Sequence, residues 1–258
     1  MTKEDPRRDS TTRFSNRVAL YIKYRPHYPS RIINFLRTEL GLTKESLIAD
    51  IGSGTGILSK LFLDHGCQVI GVEPNDDMRA AGEAYLKEYP NFTSIKATAE
   101  ATTLPDDYVD FVTAGQAFHW FDPVRSRIEF NRILKPDGYV LLTWNSRSES
   151  SPLIQTFNEL MLRYSTEFNK VRHENVQADD LPTFFKPGGY QRKLFDNFQL
   201  FNLEELKGRA MSSSYAPLPE HPNFDDFMTD LEKLYTEYQT DGQVEFAYDT
   251  EVYYGQLK

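Results

Sequence analysis

Short apolar runs alternate with longer amphipathic stretches through the first half of this chain, and that rhythm predicts its elements. Leu47-Ile48-Ala49 is an apolar run ending at Asp50, and Ile57 to Leu63 behind it has helical spacing. Cys67 to Val72 reads as a second buried strand, and Asp76 to Tyr89 as a helix with Asn75 as its cap. Phe92 to Ala97 is a third strand and Tyr108 to Ala117 a fourth. Pro123 to Leu134 is a helix opening on proline, where the missing N–H costs nothing. Lys135-Pro136-Asp137-Gly138 then turns tightly into a fifth strand, Tyr139 to Trp144. Strands separated by helices imply a doubly wound α/β sheet, mostly parallel and covered on both faces, with ligands at the carboxyl ends of its strands.

The flanks follow a looser pattern. Residues 1–13 are polar and charged, the composition of a mobile tail. A helical pattern runs from Phe14 through Val18, Tyr21 and Ile22, Pro26 and Pro29 stop it, and Ser30 stands ready to cap a helix through Ile33, Phe35 and Leu36. After Asn145 come a polar linker to Ser151, a helix over Pro152 to Phe168, and an irregular stretch over Lys170 to Gly189. A strand near Phe198 to Phe201, helices at Leu203 to Met211 and Phe224 to Tyr238, and a period-two strand over Val244 to Tyr254 complete the chain. This gives about seven strands in one domain, 14–258, with its core at 41–150, an N-terminal flank at 14–40, and C-terminal strands with a helical insertion at 151–258.

The first strand leads into Asp50-Ile51-Gly52-Ser53-Gly54-Thr55-Gly56. Strand, glycine turn, helix is the opening unit of a nucleotide site, because glycine permits a left-handed backbone that lies against a ligand. A carboxylate under that loop repels a pyrophosphate and attracts a sulfonium, so Asp50 favours S-adenosylmethionine over NAD. Glu73, at the tip of the second strand and followed by Pro74, is placed to accept hydrogen bonds from two ribose hydroxyls. An NAD-type oxidoreductase and a non-catalytic nucleoside-binding protein remain as alternatives.

Composition narrows the partners. The chain has 258 residues, a formal charge of −9 and one cysteine. The net charge argues against nucleic acid or anionic membrane as a partner. The single Cys67 excludes an internal disulfide, and the charged N-terminus has no apolar stretch of a secretory signal, so a cytoplasmic protein is expected. Five histidines show no metal-ligand spacing, and no metal is expected.

Four segments, DIGSGTG (50–56), VEPNDDM (72–78), ATAEATTLPDDYVDFVTAGQAFHWFD (97–122) and ILKPDGYVLLTWN (133–145), together resemble a class I S-adenosyl-L-methionine-dependent methyltransferase. More closely, they resemble the broad small-molecule group that includes the trans-aconitate and menaquinone-type enzymes, over about residues 15–145. The resemblance implies a Rossmann-like sheet with helical lid elements, a small-molecule acceptor, and a cofactor site at Asp50, Gly52, Ser53, Gly54, Thr55, Gly56, Glu73, Pro74, Thr98, Ala99, Glu100 and Gln116. Thr98 departs from an aspartate that many relatives carry for the adenine amino group. A hydroxyl brings no charge, which moves that contact toward the backbone around Ala99.

The lid would be formed by 14–40 and 203–238, which makes Tyr24 and Arg25 candidate substrate contacts. Tyr24, Tyr28, Trp144 and Tyr215 could wall an acceptor pocket, and Trp120 joins them after the fourth strand. His119 in Gln116-Ala117-Phe118-His119-Trp120 is the candidate general base. Methyl transfer also proceeds by alignment alone, and a carboxylate acceptor needs a cation such as Arg25 more than a base.

Overall fold

The computed structural model describes residues 22–164, 181–213 and 216–258. The N-terminal tail, the helical pattern over 14–21, the stretch 165–180 and Tyr215 lie outside the described residues.

Seven strands form one sheet in the order β3-β2-β1-β4-β5-β7-β6. They are β1 (Leu47–Ile51), β2 (Gln68–Val72), β3 (Phe92–Ile95), β4 (Val109–Gly115), β5 (Leu134–Arg147), β6 (Gln191–Phe201) and β7 (Val244–Gly255). The first five run parallel, and β7 is antiparallel to both β5 and β6. From β1 the chain builds outward to β2 and β3, then returns to place β4 on the other side. The crevice opened by that reversal, above the carboxyl ends of β1 and β4, is where such sheets bind ligands.

The helices are α1 (Arg31–Glu39), α2 (Ile57–Leu63), α3 (Asp76–Tyr85), α4 (Pro123–Ile133), α5 (Pro152–Tyr164), α6 (Leu203–Met211) and α7 (Phe224–Tyr238). One sheet face buries Val72, Val112 and Leu142 with Phe130 and Ile133 of α4. The other buries Val69, Phe111 and Leu141 with Leu58 and Phe62 of α2. Central strands covered on both faces are apolar without alternation, as the sequence reads. On β7 alternate residues from Val244 to Val252 are buried, and α5, α6 and α7 pack there around Phe157, Leu206, Phe227 and Phe246.

Several boundaries differ from the sequence expectation. Ser30 makes no side-chain cap, whereas Asn75 accepts the Met78 amide and Asp122 accepts those of Val124 and Arg125. Helix α1, within the expected lid segment 14–40, buries Ile32, Ile33 and Leu36 in the core with α2. Strand β5 extends to Arg147, because Ser146 and Arg147 pair with Asp249 and Tyr248 of β7 and so satisfy their backbone regardless of polar side chains. Strand β6 begins at Gln191 for the same reason, in register with β7 along its whole length. Helix α3 stops at Tyr85, and Leu86 turns into the core.

Candidate active site

A cavity of about 410 Å³, a size typical of small-molecule sites, lies over the carboxyl ends of β1, β2, β4 and β5. The glycine loop forms its floor. Gly52 takes φ +65°, and a Cβ there would fall 2.7 Å from that of Ala117, so no larger residue fits. The Gly52 and Ser53 amides donate to the Val72 carbonyl, tying the loop to the end of β2. Gly52, Ser53, Gly54 and Thr55 line the cavity, but Gly56 does not: it is the left-handed N-cap of α2 and packs against Leu86.

Asp50 also lines the cavity, though it is only 1% exposed. Its Oδ2 accepts from the Ser59 hydroxyl at 2.6 Å and its Oδ1 from that of Thr113 at 3.2 Å. Burial raises its pKa to about 7, against the pull of those two hydroxyls. Glu73 is fixed by two backbone donors, Gly54 N–H at 2.9 Å to Oε2 and Asn75 N–H at 2.8 Å to Oε1. Each oxygen keeps lone-pair capacity for a further donor. Burial pushes the Glu73 carboxyl above its ordinary value, opposed by the same amides.

Beyond Glu73 and Pro74, the cavity is lined by Thr98, Ala99 and Glu100 and by Trp120 and Phe121. Glu100 Oε1 accepts the Asp122 amide at 2.9 Å, so this carboxylate holds the loop after β4 against the loop after β3. Gln116, at the end of β4, is a non-glycine residue at φ +56°. Its amide donates to the Thr143 carbonyl and its Nε2 to that of Asn145, which hold this sparsely populated conformation in place.

The remaining wall comes from distant parts of the chain. Arg25, Pro26 and Tyr28 cover the ends of β4 and β5, with Asn145 and Arg209 beside them. Side-chain amides stitch this arm down: Gln199 Nε2 donates to the Arg25 carbonyl at 3.5 Å, Asn145 Nδ2 to Pro26 at 3.4 Å, and Asn197 Nδ2 to His27 at 2.7 Å. The Tyr28 hydroxyl sits where a Cβ on Gly115 would be, 2.6 Å away, so that glycine makes its berth.

Besides Gly56, three expected site residues fall elsewhere. Trp144 is buried, edge-on to Phe118 and Tyr253, because its position on β5 puts it in the core of the sheet face that packs on α4. His119 is not on the cavity wall; its ring leans on Trp120, 4.8 Å between centroids. Tyr24 packs on α6 at Gly208, where a Cβ would meet its ring at 2.3 Å. Conversely, Arg209, Asn145 and Met78 line the cavity, and none of them was among the site residues expected from the sequence. Among the described residues no His, Cys, Asp and Glu group is gathered as a metal site, and no helix is long and apolar enough to cross a membrane.

Residues 49–142 match the methyltransferase domain family. An uncharacterized methyltransferase of Mycobacterium tuberculosis is 34% identical over 157 residues, 61% of this chain and 62% of its own length. The chain therefore spans about three-fifths of that relative. An uncharacterized methyltransferase of Schizosaccharomyces pombe is 28% identical over 249 residues, 93% of this chain and 95% of its own. Among solved structures, a type II methyltransferase from Anaeromyxobacter dehalogenans aligns with TM-score 0.69 at 17% identity, covering 91% and 98% of the two chains. Geranyl diphosphate methyltransferase, in complex with GPP and sinefungin, aligns with TM-score 0.51 at 15% identity over 96% and 98%. Glycine loop, paired acidic strand tips and sheet order fall in and around residues 49–142, the stretch that matches the methyltransferase domain family, and together they are similar to a class I S-adenosylmethionine-dependent methyltransferase.

Proposed function

We propose that this chain transfers the methyl group of S-adenosylmethionine to a small organic acceptor bound in the same cavity, in the cytoplasm. The observation that carries the reading is the pair of buried carboxylates, Asp50 and Glu73, at adjacent strand tips around the glycine loop. The cofactor, when bound, supplies a methyl already activated by its sulfonium charge. The chain's residues supply position. Glu73, oriented by the Gly54 and Asn75 amides, receives the ribose hydroxyls. Asp50 places negative charge under the loop, where it favours a cation and opposes a pyrophosphate. Thr98, the backbone at Ala99, Trp120 and Phe121 would border the adenine. Pro26 and Tyr28 close the ends of β4 and β5 and keep water from the reacting end.

With His119 off the wall, alignment and desolvation are the mechanism offered here, and no side chain is assigned as general base. The test has two steps. Isothermal titration is expected to show S-adenosylmethionine and S-adenosylhomocysteine binding and NAD failing to bind; the reverse order defeats the reading. Methyl-labelled cofactor, incubated with a broad acceptor set, is expected to pass label to at least one small molecule. Binding without any transfer would make this a nucleoside-binding protein instead.

A further inference from the structure

We propose that Arg209 is the specificity-determining residue of the acceptor end, an anion anchor that selects acceptors bearing a carboxylate or similar oxyanion. The inference rests on the methyltransferase reading above and adds the chemical class of its acceptor. Arg209 is 4% exposed and lines the cavity, the one buried Lys or Arg among the described residues. Arg79, Arg132, Arg163 and Arg192, all more exposed, each pair with a carboxylate. Among the described residues no carboxylate pairs with Arg209. Burying a guanidinium without a counter-charge is costly, and an anion arriving with the acceptor removes that cost.

The side chain is aimed. Its Nε donates to the Tyr248 hydroxyl at 2.7 Å, which in turn donates to Gln199 Oε1 at 3.0 Å. Its Nη1 lies 3.5 Å from the Ser212 hydroxyl and 3.4 Å from that of Ser213, and the guanidinium stacks over Phe246 and Tyr248. Nη2 has no hydrogen-bond partner among the described residues, so one terminal nitrogen is left for the cavity. Arg25, on the same wall, is held to the Ser212 carbonyl at 3.0 Å, which sets a second cation beside the first.

Sheet order decides which end of the cavity this is. Asp50, Glu73 and the Thr98 loop follow β1, β2 and β3 on one side of the reversal, whereas Tyr248 lies on β7, opposite Arg147 at the end of β5. The two cations therefore stand several strand spacings, at roughly 4.8 Å each, from the ribose carboxylate. They face the part of the ligand that is not nucleoside. Guanidinium and carboxylate meet with charge-assisted hydrogen bonds, and the berth rejects a neutral acceptor by leaving Arg209 uncompensated.

The test titrates succinate, glutarate and benzoate, each beside its neutral amide, into the full chain at low ionic strength, with and without S-adenosylhomocysteine. At least one acid is expected to bind at least tenfold more tightly than its amide. Arg209→Gln should erase that preference and Arg25→Gln should reduce it at least threefold, both with S-adenosylhomocysteine affinity within twofold of wild type. Should Arg209→Gln lose the near-ultraviolet circular dichroism that reports an intact fold, Arg209→Lys takes its place, with the preference falling at least fivefold; a folded Arg209→Gln that loses S-adenosylhomocysteine affinity overturns the proposal, because the cofactor carries a carboxylate of its own. Acids and amides that behave alike, including neither binding, overturn the proposal, as does a preference that survives at residue 209. Loss of S-adenosylhomocysteine binding in the wild type would instead defeat the methyltransferase reading, and the acid preference is measured independently of it.

Discussion

The two ends of the cavity differ in charge and in construction. Over β1 to β3 the wall is made of contiguous stretches, Gly52 to Thr55, Glu73 to Asn75 and Thr98 to Glu100, and the carboxylates Asp50 and Glu73 stand there. Over β4 and β5 it is gathered from the Arg25 to Tyr28 arm, two strand ends and α6, and its buried charge is Arg209. An acidic end suits ribose hydroxyls and a sulfonium, and a basic end suits an anionic acceptor. The contrast teaches that cofactor chemistry, shared by many enzymes, sits in a compact local unit. The proposed acceptor end would be assembled from parts that meet only in the folded chain.

Four experiments press on that contrast. The largest effect belongs to neither end. Trp144→Ala empties a core site and is expected to cost about 3–5 kcal/mol in urea unfolding, while S-adenosylhomocysteine affinity in the folded protein stays within threefold. Normal stability with lost binding would return Trp144 to the cavity wall. Next, Glu73→Ala removes the acceptor for the ribose and is expected to weaken S-adenosylhomocysteine by about 2 kcal/mol, roughly thirtyfold. Unchanged affinity by titration would mean the ribose lies elsewhere.

The third experiment uses the raised pKa of Asp50, about 7 by burial. Its carboxyl is protonated in the folded chain below that value and charged above it. The preference for S-adenosylmethionine over its uncharged product should therefore grow as pH rises from 6 to 8, by up to about tenfold, and should flatten in Asp50→Asn. Stability has the opposite sign. The unfolded carboxyl ionises near its ordinary 3.8 while the folded one holds its proton, so the contribution is full below 3.8 and is lost as pH rises through 7. A preference independent of pH would separate Asp50 from the sulfonium. The smallest effect is expected at His119, where asparagine should change kcat less than twofold; a loss of a hundredfold would make it the base after all.

The cofactor end was legible because its signals are local. Asp50 and the glycines are neighbours in sequence, Glu73 ends the next strand, and both carboxylates are buried at the cavity as expected. The acceptor end was not. Arg25 was found by its place before the sheet, but Arg209 sits in an ordinary amphipathic helix and is drawn inward by Tyr248, a partner 39 positions away. Trp144 misled because a strand end and a strand interior look alike in sequence; pairing of β5 with β7 through Arg147 puts it inside. The length of β6 was hidden for a related reason. Arg192 and Lys193 lie before the strand near Phe198 to Phe201 that the sequence predicts, yet they pair with Tyr253 and Val252 on β7.

The measurement that bears most directly on a divided cavity is a pair of titrations on two variants, Glu73→Ala and Arg209→Gln, with near-ultraviolet circular dichroism reporting an intact fold. Each protein is titrated with S-adenosylhomocysteine and with the acid–amide pairs. The predicted result is a double dissociation: Glu73→Ala loses cofactor affinity and keeps the preference for acids, and Arg209→Gln does the opposite. A folded variant that loses both properties, or two variants that lose neither, would contradict the division of the cavity into an acidic cofactor end and a basic acceptor end.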